Sequence, residues 1–401
     1  MRGALSDRAG PTNTLTSLAG AYTTTIGTAT ASRFATDSNF VYLNGSFEQG
    51  GIRHALSLGT TGVKLSNYNP LAGATTTLGR ASLAAPLSFA LAGVPDFTRR
   101  YQSAEAKQQS LMVADDIRFS ARWSALLAAS RSWLSAHNYN LAGTQTSASS
   151  NQGNSGSASL VFKPRADMST YLSYADSLQQ GDTASAGSAN AGNILDPYRS
   201  KQWELGYKVA IEDVNAAIAA FRITRPYAYV NAADNVFRIA GEQRNDGVEL
   251  MLDGHVTRDL SLFGGLTWLD PRLNHSGNAA TEGKRIVGLP RYALSLLASY
   301  DVRQVPGLST RLNLRAVDAR ASDNANLNQV AGYGTLDWSA AYRTAVMGYA
   351  TTFRLSVNNL TDKRYWTNIV PGGLNGYSGT GNASAQLGAP RTAIASVQVE
   401  L

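Results

Sequence analysis

The chain has 401 residues, no cysteine, 37 glycines and 18 tyrosines, with 43% hydrophobic and 16% charged residues and a formal charge of +7. So little charge with so much glycine points away from a cytosolic globule. The missing cysteine removes disulfide frameworks and thiolate metal sites, and no run approaches the roughly 18 apolar residues of a spanning helix, so a bilayer crossing must be a closed barrel.

The start, Met1-Arg-Gly-Ala-Leu-Ser-Asp7, lacks the apolar core of about 7 residues that a secretory signal needs. No signal peptide is therefore expected in this chain, and residues 1–20 are given no firm element. The first strand is expected within Leu15 to Ala29. Short turns are expected at Glu48 to Gly51 and Lys163 to Ala166. The Gly- and Ser-rich stretch Leu141 to Gly156, with the run Ser147 to Ser159, reads as a loop by composition. A second long loop is expected at Leu178 to Ser200.

Strand patterns are clearest after that. Trp203, Leu205, Tyr207 and Val209 oppose Gln202, Glu204, Gly206 and Lys208, a period of two. Short turns follow at Glu212-Asp213 and Thr257 to Asp259, and a long loop at Asn274 to Gly288. Over Arg291 to Tyr300 one face reads Tyr292, Leu294, Leu296, Ala298, Tyr300. Aliphatic residues between terminal tyrosines suit a lipid-facing strand that meets two interfaces. Leu308, Thr310, Leu312, Leu314 oppose Ser309, Arg311, Asn313, Arg315, and Phe353, Leu355, Val357 oppose Arg354, Ser356, Asn358. A face carrying Arg, Lys and Glu is not the inside of a soluble sandwich. Turns at Val302 to Gly307 and Arg343 to Gly348, a long loop at Asp362 to Ala389 and a last strand at Arg391 to Leu401 complete the series.

Short and long connections alternate, as in outer-membrane barrels with short periplasmic turns and long outside loops. The expected fold is all-β: a transmembrane antiparallel up-and-down barrel with about 16 strands present. Basic residues lie singly along strands, so nucleic acid is not an expected partner.

Three motifs carry a family likeness. Ser200-Lys-Gln-Trp-Glu-Leu-Gly-Tyr-Lys208, Asn245-Asp-Gly-Val-Glu249 running to Leu252-Asp-Gly254, and Leu355-Ser-Val-Asn-Asn-Leu-Thr-Asp-Lys-Arg-Tyr-Trp366 resemble barrel signatures of TonB-dependent siderophore receptors of the ferrichrome type, and Gly50 to Gly59 resembles an earlier strand. The resemblance implies an outer-membrane receptor for ferric siderophores, not an enzyme, driven in the intact parent by the TonB inner-membrane complex. It also implies an N-terminal plug and a coupling segment that are not found in residues 1–401. Against the roughly 22 strands of plugged transporters, the barrel is expected to be partial. On that reading the chain is a truncated receptor that does not transport alone. The alternatives are a self-closing passive pore and an outer-membrane enzyme or adhesin.

Trp203, Glu204, Gly206, Lys208, Gly247, Glu249, Asn358, Asn359, Leu360 and Asp362 are expected to be structural. Trp203 is an interface anchor, Glu204 and Lys208 join a charge ladder, Gly247 allows a bend or close approach, and the Asn and Asp residues turn the chain at the strand end. Candidate ligand contacts are Arg225, Tyr227 and Tyr229 in one outer loop and Tyr365, Trp366 and Tyr377 in another, since aromatic faces and Arg suit a flat anionic iron chelate. No nucleophile elbow, phosphate loop or His-Glu-x-x-His motif is present. The four histidines, His54, His137, His255 and His275, lack ligand spacing, so neither a metal site nor a resident cofactor is expected.

Overall fold

The computed structural model describes residues 2–6, 11–17, 19–27, 32–71, 75–90, 99–184, 187–370 and 384–400. The first strands are β1 (Arg2–Ser6), β2 (Thr12–Leu15), β3 (Ala21–Gly27), β4 (Arg33–Gln49), β5 (Ile52–Pro70), β6 (Thr75–Ser82), β7 (Arg100–Arg118), β8 (Trp123–Tyr139) and β9 (Gln145–Arg165). The middle holds β10 (Met168–Gln179), β11 (Tyr198–Ile211), β12 (Val214–Val230), β13 (Phe237–His255), β14 (Leu260–Asn274), β15 (Tyr292–Asp301) and β16 (Leu308–Val317). The last are β17 (Arg320–Ala321), β18 (Gln329–Val330), β19 (Tyr333–Val346), β20 (Tyr349–Asn358), β21 (Trp366–Val370), β22 (Ser384–Leu387) and β23 (Thr392–Glu400).

Among the described residues, 16 strands form one sheet, in the order β1, β4, β5, β7 to β16, β19, β20, β23. Every named strand pair is antiparallel, as the alternating turns require. The row is open, with β1 and β23 at its two ends. The remaining strands make small sheets at the loops: β2-β3-β6, β17-β18 and β21-β22.

Alternation sets the faces, and register aligns them from strand to strand. Tyr207, Ile218, Leu250, Leu266, Leu294 and Ala316 stand opposite one another across β11 to β16. One residue along, the row reads Lys208, Ala217, Met251, Gly265, Ser295, Arg315 and Thr335. The aliphatic face is open, with Leu205 at 55% and Leu250 at 44% exposure. A face like that is stable only when lipid covers it. Buried side chains lie instead at the loop end, where Tyr198, Tyr227 and Phe237 are among the largest.

Tight turns close the opposite end. Gly50 and Gly51 both have positive φ, as do Met347 and Gly348, the geometry of two-residue hairpins whose twist matches the strands. The expected turns at Glu212-Asp213, Thr257 to Asp259 and Val302 to Gly307 also lie between strands.

Two expectations are corrected. The stretch 141–156 is not one long loop: only 141–144 turn the chain, and β9 begins at Gln145 and pairs with β8 through Gln145 to Phe162. Backbone hydrogen bonds to β8 hold this Gly- and Ser-rich segment extended, which composition does not reveal. The small side chains fit beneath larger ones, and a Cβ on Gly153 would stand 2.4 Å from Leu178. The first strand of the large sheet is not within Leu15 to Ala29 either. Those residues supply β3 to the side sheet, and β1 takes the edge by pairing with Arg33 to Asp37.

Candidate functional site

The loops at the long-connection end lock to one another by side-chain bonds to backbone. Asn190, between β10 and β11, donates from Nδ2 to the Phe237 carbonyl (2.8 Å) and accepts the Phe237 N–H (2.9 Å). Asn235 donates to the Gly187 carbonyl (2.9 Å). Beneath these bonds Ala184, Tyr198, Ala228 and Phe237 form a buried cluster, and the Tyr198 hydroxyl donates to Asp182 (2.9 Å). Such bonds satisfy backbone groups that loops otherwise leave to water.

The β14–β15 loop links this half to the next. Its Gly277, at φ +69°, passes under the Tyr229 hydroxyl, where a Cβ would stand at 2.2 Å. Glu282 closes the loop by accepting the N–H groups of Ser276 (2.8 Å) and His275 (3.0 Å). Those two donors hold its carboxyl below the usual range. Asp234, in the β12–β13 turn, is likewise lowered by the Val236 N–H and by Arg238. Farther on, Asn326 makes two bonds to the backbone of Arg285, and the Gly288 N–H reaches the Ala321 carbonyl (3.0 Å).

Arg320 anchors the last segment. It is 3% exposed, and donates to the carbonyls of Thr367 (3.1 Å) and Trp366 (2.5 Å). Its guanidinium lies 5.6 Å from the centre of the Tyr333 ring, which stacks on Tyr365 at 4.2 Å. Nothing in the sequence marked this residue, a lone arginine between alanines; its role comes from contacts with residues 46 and 47 positions away.

The candidate ligand contacts fall into two groups. Arg225, Tyr227 and Tyr229 lie in the last residues of strand β12 and not in a loop, because its pairing with β13 continues to Val230. Arg225 lies 5.6 Å over the Tyr198 ring and Tyr227 packs 5.7 Å from Tyr229, both beside the first cluster. Tyr227 is 2% exposed, so a ligand reaches it only after the loops move. Tyr365 and Trp366 belong to the Arg320 cluster. The β14–β15 loop touches both groups, through Gly277 at Tyr229 and Gly288 at Ile369. Tyr377 lies outside the described residues.

The motif residues sit in the wall. Trp203 is 54% exposed on the aliphatic face, 4.8 Å from the Tyr174 ring. Glu204 and Lys208 do not pair directly, contrary to the simplest charge ladder, because Tyr171 stands between them. Its hydroxyl donates to Glu204 (2.6 Å) and its ring receives the Lys208 ammonium at 5.2 Å. Gly206 makes room for that ring, and Gly247 for Phe221, at 2.3 and 2.4 Å from where a Cβ would be. Glu249 faces Ala219 and Thr267 across the same side. Asn358 ends β20, and Asn359, at φ 50° and 4% exposure, closes it. Asn359 donates to the Lys363 and Ala389 carbonyls and accepts the Lys363 N–H. Leu360 bonds back to the Leu336 carbonyl (2.7 Å), and Asp362 accepts the Arg391 N–H (3.1 Å).

An antiparallel sheet with one aliphatic face, tight turns at one end and interlocked loops at the other defines the outer-membrane β-barrel class. The family described as TonB dependent receptor-like, beta-barrel matches residues 4–360, and the chain belongs to it. That family consists of receptors and transporters, not enzymes, and its barrels are outer-membrane proteins of Gram-negative bacteria. The Ferrichrome receptor FcuA of Yersinia enterocolitica is 31% identical over 225 residues, 55% of this chain and 30% of that protein. The probable TonB-dependent siderophore receptor PiuA of Acinetobacter baumannii is 28% identical over 295 residues, 68% of this chain and 38% of its own. Among solved structures, BauA, the ferric preacinetobactin receptor of Acinetobacter baumannii, superposes with a TM-score of 0.79 at 26% identity, over 98% of this chain and 58% of that one. The matched segments thus cover 30% and 38% of the two curated relatives, and the chain covers 58% of BauA.

Proposed function

We infer that this chain forms barrel wall and outer loops of a receptor that takes up a ferric siderophore. In the whole protein, uptake is energised through the TonB complex. The observation that carries the reading is the interlocked loop layer set on a family barrel, with aromatic and arginine side chains at two neighbouring clusters. Such loops offer stacking faces and positive charge to a flat anionic chelate. Arg225, Tyr229, Tyr365 and Trp366 are the proposed contacts, with Tyr227 joining them when the loops open and Tyr377 from the last loop. The siderophore is cargo, and the scheme calls for no resident cofactor. The passive-pore alternative has no support of its own, since a pore needs a closed ring and β1 and β23 are unpaired with each other among the described residues.

The test is tryptophan fluorescence of the refolded 401-residue chain titrated with an anionic ferric tris-catecholate, with the iron-free ligand as control. Saturable, iron-dependent quenching that the Tyr365→Ala and Trp366→Ala variants weaken roughly tenfold supports the reading. Quenching that ignores both substitutions and iron loading sinks it.

A further inference from the structure

Arg131 breaks the pattern of the aliphatic face. Leu205 pairs with Leu172, Leu172 with Leu160 and Leu160 with Ala125, so the face that holds Leu205 continues on β8 through its odd-numbered residues. Arg131 is therefore directed toward lipid. Trp123 and Trp133 share its face, ten positions apart. At ~3.3 Å per residue and a tilt of ~40°, that separation spans ~25 Å, the height of the apolar band between two aromatic girdles. Trp123 packs on Phe162 at the tight-turn end, with ring centres 4.5 Å apart. Trp133 then marks the girdle on the long-connection side, and Arg131 lies one step inside it.

A cation facing hydrocarbon is costly unless it reaches a counter-ion or the headgroup layer. Arg131 has no carboxylate partner among the described residues. Its guanidinium donates to neutral amides, Gln152 Oε1 (2.9 Å) and Asn154 Oδ1 (3.4 Å), and lies 5.9 Å from the centre of the Trp133 ring. The carboxylates of the same face on β4 to β10 are engaged by other cations. Asp115 is held by His54 (2.7 Å), Asp176 by Arg199 (2.9 Å) and Glu105 by Lys64 and Lys107 (2.9 and 2.7 Å). Asp37 stands opposite Lys64. Lys64 and Lys107 are thus balanced by Glu105 and Asp37, and the uncompensated charge is that of Arg131.

Below the guanidinium, register builds an apolar trough. Arg131, Leu111, Thr60 and Val41 stand opposite one another across β8, β7, β5 and β4, and the next row toward the tight turns reads Ala129, Val113, Leu58 and Leu43. The small Ala129 and Thr60 leave a groove of about 750 Å³ between larger neighbours, with Arg131 and Asn154 at its head and no carboxylate in its lining. Leu43, Leu58 and Leu111 are 72%, 56% and 52% exposed, so the groove opens outward to the bilayer. We propose that it seats a lipid of the outer leaflet, with an acyl chain along Leu58 and Val113 and a headgroup phosphate on Arg131. The guanidinium fork matches phosphate oxygens and gains charge-assisted bonds that its amide partners do not supply. Trp133 fixes the headgroup level beside it. The idea rests on the barrel wall in a bilayer and not on siderophore binding.

Native mass spectrometry of the refolded 401-residue chain in a neutral detergent, with dioleoyl phosphatidate as the probe, tests it. Dioleoylglycerol supplies the chains without the phosphate, and inorganic phosphate the anion without the chains. Saturable retention of phosphatidate is expected, with both controls held at least roughly tenfold more weakly. Arg131→Gln is expected to weaken phosphatidate roughly tenfold. Ala129→Phe, which fills the groove and leaves the arginine in place, is expected to do the same, and it serves where Arg131→Gln loses its strand spectrum. Arg131→Lys keeps the charge and is expected to retain part of the affinity. Arg303→Gln, which removes a cation paired with Asp259 at the tight-turn end, is expected to change nothing. Equal retention by the Arg131→Gln and native chains, or equal retention of dioleoylglycerol and phosphatidate, overturns the proposal. Inorganic phosphate bound as tightly as phosphatidate, with no effect of Ala129→Phe, overturns it in favour of a plain anion site. Loss of ferric tris-catecholate quenching with phosphatidate retention intact removes the proposed receptor function and leaves this lipid seat standing.

Discussion

The strand wall and the loop layer obey opposite rules of burial. In the wall, Leu205, Leu250 and Leu312 are exposed at 55%, 44% and 44%, and stability comes from ladders of backbone bonds plus lipid on the aliphatic face. In the loops Arg320 and Asn359 are 3% and 4% exposed, and polar side chains replace the ladder by bonding to backbone. The difference follows from solvent. Lipid demands an apolar surface and a satisfied backbone, whereas loops in water need specific donors and acceptors to hold one conformation.

A charge on the aliphatic face is the most direct way to break the contrast. Leu250→Arg is expected to cost about 2–4 kcal/mol in urea unfolding from lipid vesicles, while Met251→Arg, on the polar side of the same strand, costs less than about 1. Equal costs would mean that lipid does not distinguish the two faces, and a larger cost for Met251→Arg that they are reversed. Next in size is Asn359→Ala, which strands the Lys363 and Ala389 carbonyls and the Lys363 N–H. A loss of about 1–3 kcal/mol is expected, together with faster hydrogen exchange at Lys363 and Arg391; unchanged exchange would show that water replaces the side chain.

The smallest effect sharpens the loop side. Because its folded-state pKa is lowered, Glu282 adds stability that is present above the ordinary carboxylate range and is lost as pH falls through the depressed value. Protection factors at His275 and Ser276, taken relative to the intrinsic exchange rate at each pH, are expected to fall on acidification, and Glu282→Gln to flatten that dependence. Protection that persists at low pH in the native chain would remove Glu282 as the closure of this loop.

The alternation of Tyr292 to Tyr300 was legible because side-chain direction along a strand is a local property of the backbone. So were most of the tight turns, where residues such as Gly50-Gly51 and Met347-Gly348 adopt positive φ over two positions. Composition misled at β9, where serine and glycine suggested a loop and pairing with β8 made a 21-residue strand. The Glu204–Lys208 relation was half legible: their shared face follows from spacing, but the intervening Tyr171 arrives from a neighbouring strand.

By itself, then, the sequence determined the β class, the two faces, the turn spacing and the family motifs, all of which depend on residues close together in the chain. Tertiary structure decided which strand takes the edge beside β4 and how the loops interlock. Those outcomes depend on partners tens of residues apart, such as Arg285 with Asn326 and Arg320 with Thr367. No local pattern encodes them, because hydrogen bonding and charge act through space between segments that only the completed sheet brings together.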